Sequence, residues 1–359
     1  MTKGMELVKR LSLAFGPSGC EDEVRSIIKE EIGQSADGIT VDRVGNLIAV
    51  VKGRGMDYNA EKPARLLVAA HMDEVGFMVK DVTDEGYVKF STIGDMDPRV
   101  LCGRHVNIRT EKGKTVPAMI ATKAIHLQSA EDRTKATPTD KMYFDIGTRT
   151  REEGFKAVSI GDFGVFDSDF ETFGKDGCRI KGKALDDRLG CAALIETIRS
   201  LHDEPCALPF DVYFCFTCNQ EIIGISGAGV AAFTVKPDMA LLVEATAVND
   251  LPGVPGASRV ASLGGGCVLS LCDRAAIYDP ALTAMLSRTA QEAGIASQIK
   301  QSLGDVTDGG FVQRSMAGVK TALLSVPVRY THTAASVALY ADYEATRDLL
   351  KAVLRGWKV

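Results

Sequence analysis

The chain has 359 residues, which at roughly 150 residues per domain suggests two domains and ample length for a hydrophobic core. Hydrophobic residues make up 45% and charged residues 25%, a composition that excludes disorder, collagen and coiled coil as whole-chain classes. The net charge of -5 comes without a concentrated run of either sign, so nothing indicates a nucleic-acid partner.

Hydrophobic spacing in the first 74 residues predicts two helices followed by two strands. Residues 5–15 and 21–32 carry apolar side chains along one helical face. Residues 46–52 and 65–70 are predicted strands. The continuously apolar sequence of the second strand indicates a central position in a sheet.

The pattern changes between residues 75 and 178, where short β-like runs are separated by Gly, Asp and Pro. After that segment, strands and helices alternate again. The predicted strands there are residues 210–217, 239–243, 267–271 and 321–326, and the predicted helices are residues 189–201, 227–233, 280–293 and 343–357. We therefore predict one α/β catalytic domain in two segments, 1–74 and 179–359, interrupted by a β-rich insertion at 75–178.

No membrane partner is expected, because the longest uncharged stretch, residues 222–235, is shorter than the roughly 18 to 20 residues that span a bilayer. Glu6, Lys9 and Arg10 stand where a signal peptide would need apolar residues, which favours a cytoplasmic protein. The nine cysteines are expected to be free thiols. Cys215 and Cys218 form a CxxC, for which a zinc or redox site is the alternative to a place in a buried strand.

Candidate metal ligands gather where the predicted strands end, which is the edge at which open α/β sheets bind ligands. These residues are His71, Asp73, Asp186, Asp187, Glu221, Glu244 and His332. Each alone has an ordinary structural interpretation, such as a hydrogen-bonded histidine or a helix-capping aspartate. Their convergence on one edge predicts a metal site, and the mixture of imidazole and carboxylate without thiolate suits zinc, cobalt or manganese.

Such a set of side chains suits metal-assisted hydrolysis, in which the metal lowers the pKa of water and an unligated carboxylate accepts the proton. Glu221 is the best candidate for this free base. A carboxylate shared between two metals would hold them roughly 3.5 to 4 Å apart.

Over essentially its whole length the sequence resembles the tetrahedral aminopeptidases, which include glutamyl aminopeptidases and proteins once labelled cellulase M. The motifs that carry the resemblance, in family order, are PSGCEDEV, AAHMDEVGF, DIGTRTREE, GDFGVF, KALDDRLGC, NQEIIGISGA, GDVTDGG and VPVRYTHT. The resemblance implies a mixed central sheet flanked by helices, as in zinc peptidases, with an inserted small β-barrel-like domain used in assembly. It also implies a dinuclear metallopeptidase that removes N-terminal residues from peptides and forms homo-oligomers built from dimers, typically dodecamers.

The resemblance also implies a role for each candidate residue. His71 and Glu244 would hold one metal, His332 the other, and Asp186 would bridge the two. Glu221 would be the general base, and Asp73 would orient the His71 imidazole. Glu244 stands where an Asp is common, but either side chain offers oxygen ligands.

One departure from the family concerns the motif NQEIIG at residues 219–224. The family has two successive glutamates after a glutamine, the first a base and the second a metal ligand. The flanking glutamine and glycine fix a register that places Ile222 at the ligand position, and an isoleucine cannot coordinate a metal. We therefore predict that the second metal, left with Asp186 and His332, binds weakly or is absent.

Three functions remain open from the sequence. The first is a metal-dependent aminopeptidase-like hydrolase, impaired or working with a single metal because of Ile222. The second is a non-catalytic family member that serves as a peptide-binding or assembly subunit. The third is a glycoside hydrolase, which rests only on the old cellulase label and the paired carboxylates.

Overall fold

The computed structural model describes residues 2–55, 58, 61–222, 224–300, 302 and 304–357. The first segment contains helices α1 (Lys3–Leu13) and α2 (Asp22–Ile32) and strands β1 (Gly38–Val41), β2 (Leu47–Val51) and β3 (Arg65–His71). The Thr2 side chain caps α1 by accepting a hydrogen bond from the Met5 amide. Both helices bury an apolar face, as their spacing predicts.

A closed antiparallel barrel follows. It contains strands β4 (Gly76–Val82), β5 (Val88–Ile93), β6 (His105–Arg109), β7 (Thr115–Ala121) and β8 (Tyr143–Asp145), helix α3 (Arg151–Ala157) and strand β9 (Phe163–Phe166). The strand order is β4-β5-β8-β7-β6-β9, and β9 closes the barrel against β4. Alternate residues of β7 point inwards and are buried. Four aromatic rings that pack on one another fill the interior, namely Phe77, Phe90, Phe144 and Phe166. The predicted β-barrel-like insertion is confirmed.

The second α/β segment completes a large mixed sheet. Its elements are β10 (Glu171–Phe173), β11 (Arg179–Gly182), α4 (Leu185–Asp203), β12 (Asp211–Thr217), α5 (Gly227–Val235), β13 (Met239–Ala247), β14 (Cys267–Ser270), α6 (Pro280–Glu292), β15 (Ser297–Ile299), α7 (Gly309–Gln313), β16 (Lys320–Arg329), β17 (Ser336–Leu339) and α8 (Tyr340–Gly356). The main strand order is β1-β2-β12-β3-β13-β16-β17-β11-β10, and β14 joins β15 to β16. The predicted mixed sheet flanked by helices is confirmed.

Four adjacent strands at the centre of this sheet, β12, β3, β13 and β16, run parallel to one another. Helices α1, α2, α4, α6 and α8 cover one face through a continuous apolar core, and α5 and α7 cover the other face. Since parallel neighbours end on the same side, the residues that follow these four strands meet at one edge. Among the described residues, no helix combines the length and apolarity needed to cross a membrane.

Some strand limits differ from those predicted. Strand β13 continues through Glu244 to Ala247, because it pairs with β16 as far as Ala247 opposite Val328. Strand β10 falls within the predicted insertion 75–178 but pairs with β11 in the large sheet. The exact division of the chain at residue 178 stays a prediction.

Candidate metal centre

His71 ends the central strand β3 and is fully buried. Its Nδ1–H donates a hydrogen bond to the Asp73 carbonyl oxygen at 3.1 Å, and Nδ1 lies 3.5 Å from Asp73 Oδ1. This contact leaves the Nε2 lone pair free on the other side of the ring. Nε2 faces Asp186 Oδ1 at 3.3 Å and Glu244 Oε2 at 3.5 Å. We refer to His71, Asp186 and Glu244 as the His71 group.

Asp186 takes its position from an irregular start of helix α4. Asp186 and Asp187 have non-helical backbone angles, and the peptide bond between them is cis. The Asp187 carboxylate accepts hydrogen bonds from the Gly190 amide at 3.0 Å and the His71 amide at 3.2 Å. A Cβ at position 190 would lie 2.3 Å from Asp187 Oδ2, so this turn requires glycine there. The turn directs the Asp186 carboxylate into the sheet edge.

A second group of possible ligands shares Asp186. His332 follows β16, and its Nδ1–H donates a hydrogen bond to the Asp95 carbonyl oxygen at 2.6 Å. Its Nε2 lies 3.1 Å from Glu221 Oε2 and 3.7 Å from Asp186 Oδ2. We refer to Asp186, Glu221 and His332 as the His332 group. In each group the three ligand atoms lie within 4.8 Å of one another.

The two groups use different oxygens of the shared carboxylate. Asp186 presents Oδ1 to His71 and Oδ2 to His332. A carboxylate between two sets of nitrogen and oxygen donors is the arrangement that holds a pair of divalent cations.

The loop after β12 directs Glu221 into the His332 group. Asn219 has a left-handed backbone with φ 60°, which turns the chain at the end of the strand. The amides of Gln220 and Glu221 then donate hydrogen bonds to the two oxygens of Asp73, each at 3.0 Å. Glu221 is thus anchored by its backbone and buried at its carboxylate.

Ile222 offers no metal-ligand atom, whereas the preceding Glu221 carboxylate lies within reach of Asp186 and His332. From the sequence, the expected arrangement has Ile222 at the ligand position and Glu221 as the free base. The structure instead brings Glu221 together with His332 and Asp186. The roles of these neighbours depend on the direction in which the loop leaves β12, and no pattern in the sequence specifies that direction.

The charge of the cluster fits a bound cation. Among the described residues, Asp73, Asp186, Glu221 and Glu244 form ion pairs only with histidines and none with lysine or arginine. Burial holds the pKa of Glu244 well above its ordinary value. Buried carboxylates that face imidazole Nε2 atoms need either protons or metal cations between them. The donor set therefore fits divalent metal.

Against the effect of burial, these carboxylates raise the pKa of both histidines. Burial alone would lower the pKa of His71, but Asp186, Asp73 and Glu244 hold it well above the ordinary value. Burial likewise lowers the pKa of His332, yet Glu221 and Asp186 raise it to about 11. Without a metal, protons on the imidazoles balance the negative charge.

A cavity of about 360 Å³ opens onto both groups. Its wall includes Gln220, Arg274 and Asp95, besides the ligands Asp186, Glu221, Glu244 and His332. From the sequence, Gln220 serves only to fix the register of its motif, and Arg274 and Asp95 are not selected because neither belongs to a recognised motif. The cavity is the place where a substrate could reach the metal ligands.

The other histidines and the cysteines of the CxxC lie away from the two groups. His105, His126 and His202 belong to no group of possible ligands among the described residues. Cys215 and Cys218 are buried free thiols, and burial raises the pKa of Cys218 to about 12. Cys218 Sγ donates a hydrogen bond to the Val44 carbonyl oxygen. This placement matches the structural interpretation of the CxxC.

Comparison with known proteins gives a consistent result. A sequence model described as M42 glutamyl aminopeptidase matches residues 45–349. A putative aminopeptidase of Acetivibrio thermocellus is 33% identical over 349 residues, which cover 97% of this chain and 98% of that relative. A TET aminopeptidase from a marine sediment Thaumarchaeota archaeon has a TM-score of 0.93 and 35% identity, covering 99% of this chain and 97% of that one. A Pyrococcus horikoshii TET1 peptidase, which can assemble into a tetrahedron or a large octahedral shell, has a TM-score of 0.85 and 34% identity, covering 99% of this chain and 100% of that one.

Proposed function

Since the chain belongs to the M42 glutamyl aminopeptidase family and is a metal-dependent aminopeptidase-like hydrolase, we propose that it removes N-terminal residues from peptides at the cavity beside Asp186. The observation that carries this proposal is the sharing of Asp186 between the His71 group and the His332 group. A glycoside hydrolase would need carboxylates but no histidine ligands, so these groups do not support that function.

We assign His71, Asp186 and Glu244 to the first metal and Asp186, Glu221 and His332 to the second. Zinc is the metal we propose, because two imidazoles and three carboxylates suit it, and cobalt and manganese suit the same donors. When bound, a pair of such cations polarises the scissile carbonyl and acidifies the attacking water. This assignment gives the second metal three protein ligands, one more than the register through Ile222 would leave.

The protein residues contribute orientation and proton transfer. Asp73 fixes the His71 imidazole with Nδ1 protonated, so that Nε2 faces the ligand side. The other buried carboxylates near the site are already engaged: Asp187 accepts amide hydrogen bonds, and Asp308 accepts from Thr217 and Ser226. With Glu221 among the ligands, no buried carboxylate of the described cluster is left free to accept a proton.

Gln220 immediately precedes Glu221 and lines the same cavity. Its side-chain nitrogen donates a hydrogen bond to the Val306 carbonyl oxygen at 3.2 Å. An amide does not accept a proton near neutral pH, so it cannot act as the general base. We therefore propose that hydrolysis by this chain is slow, and that the cause is Gln220 rather than Ile222.

The amide side chain of Gln220, which cannot act as a base, also favours a second candidate function. A site that keeps both metal groups and lacks a base would bind the N-terminus of a peptide without cleaving it. The chain would then be a peptide-binding or assembly subunit.

For assembly we propose a homo-oligomer built from dimers, with a dodecamer as one form. The assembly of the TET1 peptidase of Pyrococcus horikoshii supports this proposal. Exposed apolar side chains between β7 and β8, Ile125 at 60% and Leu127 at 70%, offer area that a partner subunit could cover. We also propose a cytoplasmic location, where a reducing environment would suit the nine cysteines, all free in the structure.

A single experiment tests the proposed function. The purified protein is loaded with zinc, cobalt or manganese and assayed with a panel of aminoacyl chromogenic substrates and short peptides. We expect measurable but slow release of N-terminal residues that a chelator abolishes. Turnover that survives chelation would contradict the proposal, and tight binding of peptides without turnover would favour the second candidate.

A further inference from the structure

Ser18 lies behind the metal centre and is buried, with only 2% of its surface exposed. Its Oγ donates a hydrogen bond to Asp73 Oδ2 at 2.6 Å. The segment around Ser18 is held in place because Pro17 forms a bridge with Glu74 and Gly19 adopts φ 85°. The hydroxyl therefore meets Asp73 in a fixed position.

Asp73 contacts both metal groups through one carboxylate. Oδ1 lies 3.5 Å from Nδ1 of His71, a residue of the His71 group, and accepts the Gln220 amide at 3.0 Å. Oδ2 accepts the Glu221 amide at 3.0 Å in addition to the Ser18 hydroxyl. Rotation of this carboxylate would disturb the His71 ring and the loop that carries Glu221 at the same time.

A second residue of the same segment holds the start of that loop. Glu21 is 4% exposed, and its Oε1 accepts hydrogen bonds from the Gly19 amide at 2.8 Å and the Asn219 amide at 3.3 Å. The three consecutive amides of residues 219–221 thus all donate to carboxylates, one to Glu21 and two to Asp73.

We propose that Ser18 is a positioning residue for the second metal: by fixing Asp73 Oδ2, it holds the 219–221 loop so that Glu221 reaches His332. The inference rests on the proposed function, because it concerns the ligands assigned there. The Ser18 hydroxyl and the Glu221 amide donate to the same oxygen of Asp73, Oδ2, whereas His71 lies near Oδ1. Its loss therefore weakens the second metal more than the first, whereas a change at Asp73 weakens both.

The test measures stepwise zinc binding to chelated, full-length protein by calorimetry. Ser18→Ala lowers the affinity of the second zinc about tenfold and leaves the first within about twofold, since residues that orient metal ligands are typically worth 10- to 100-fold in affinity. Ser18→Thr keeps the hydroxyl and restores the second affinity. The matched control is Ser12→Ala, which removes another buried hydroxyl, donating to the Lys183 carbonyl oxygen at 2.6 Å, and leaves both affinities unchanged.

A double-mutant cycle separates this role from general destabilisation. In a Glu221→Gln background, which keeps only the first zinc, Ser18→Ala leaves the affinity of that zinc within about twofold, whereas a general destabilisation would weaken it. Asp73→Asn provides an independent variant should Ser18→Ala fail to fold, and it weakens both zinc sites. An effect of Asp73→Asn on the first zinc alone, or an unchanged second affinity in Ser18→Ala, would overturn the inference while leaving the proposed function intact. Fewer than two zinc ions on the unmodified protein would overturn both.

Discussion

The Nε2 atom of His332 lies 3.1 Å from Oε2 of Glu221 and 3.7 Å from Oδ2 of Asp186. In the assignment that we propose, this relationship makes Glu221 a metal ligand rather than a free carboxylate. Gln220, the preceding residue, lines the same cavity. The proposal therefore ties the number of bound metals to Glu221 and the rate of hydrolysis to Gln220.

Gln220→Glu should raise kcat for aminoacyl substrates, because it places a carboxylate that is not assigned to a metal directly beside Glu221 in the cavity. General bases typically contribute 10²- to 10⁴-fold, so we expect a gain of at least about tenfold. Steady-state kinetics with zinc-loaded protein measures it, and Gln220→Asn is the matched control without a carboxylate. If the unmodified enzyme is already fast and Gln220→Glu does not exceed it, the assignment of Gln220 is wrong.

Ile222→Glu should change neither the metal content nor the rate by more than about twofold. The reason is that Gln220 and Glu221 line the cavity at the ligand groups, whereas residue 222 is not among its lining residues. Elemental analysis and kinetics of this variant check the expectation. A gain of a bound zinc in Ile222→Glu would instead support the register in which Ile222 replaces a ligand.

His71→Ala should lose the first metal and lower activity by more than about 100-fold, since even residues that only orient ligands are worth 10- to 100-fold. His105→Ala is a suitable control, because His105 is an exposed residue of barrel strand β6. Zinc content and residual hydrolysis are measured for both variants. Full activity in His71→Ala would exclude the His71 group as a catalytic metal site.

The chelated protein should lose stability as the pH rises from about 6.5 to 9. Burial lowers the pKa of His332, but the carboxylates of Glu221 and Asp186 raise it to about 11. Because the pKa of His332 in the folded protein lies above the value of about 6.5 in the unfolded chain, protonation of His332 stabilises the fold. This stabilisation is complete below about pH 6.5 and is lost as the pH rises towards 11. Glu244 acts in the same direction, because burial raises its pKa and its ionisation opposes folding.

Thermal unfolding of the chelated protein across this pH range measures the effect. The fall in Tm should be smaller in His332→Gln, and smaller again in zinc-loaded protein, where the metal replaces the protons. A Tm that stays level or increases with pH in the chelated protein would show that these groups do not titrate as the structure requires.

Much of this fold follows from sequence because its elements carry clear periodic signals. The continuous apolar run of β3 predicts a central parallel strand, and its end predicts the place of His71. The short β-like runs after residue 75 predict a β-rich insertion, and the family resemblance implies its barrel-like form. The short edge strands β1, β10 and β15 were not predicted, because three or four residues contain too little pattern.

The ligand roles at the end of β12 could not be predicted from sequence. They depend on the left-handed turn at Asn219 and on the amide contacts to Asp73, which join residues 147 and 148 positions apart in the chain. The same holds for Ser18, whose contact with Asp73 spans 55 positions. Only the folded chain brings the Glu221 side chain together with His332 and Asp186.

Zinc content per chain, measured by elemental analysis after dialysis of the unmodified protein and of Glu221→Gln, tests the central claim most directly. The structure predicts two zinc ions in the unmodified protein and one in Glu221→Gln, because only the His332 group loses its charged oxygen ligand. One zinc in the unmodified protein, or two in both proteins, would contradict the assignment of Glu221 as a metal ligand.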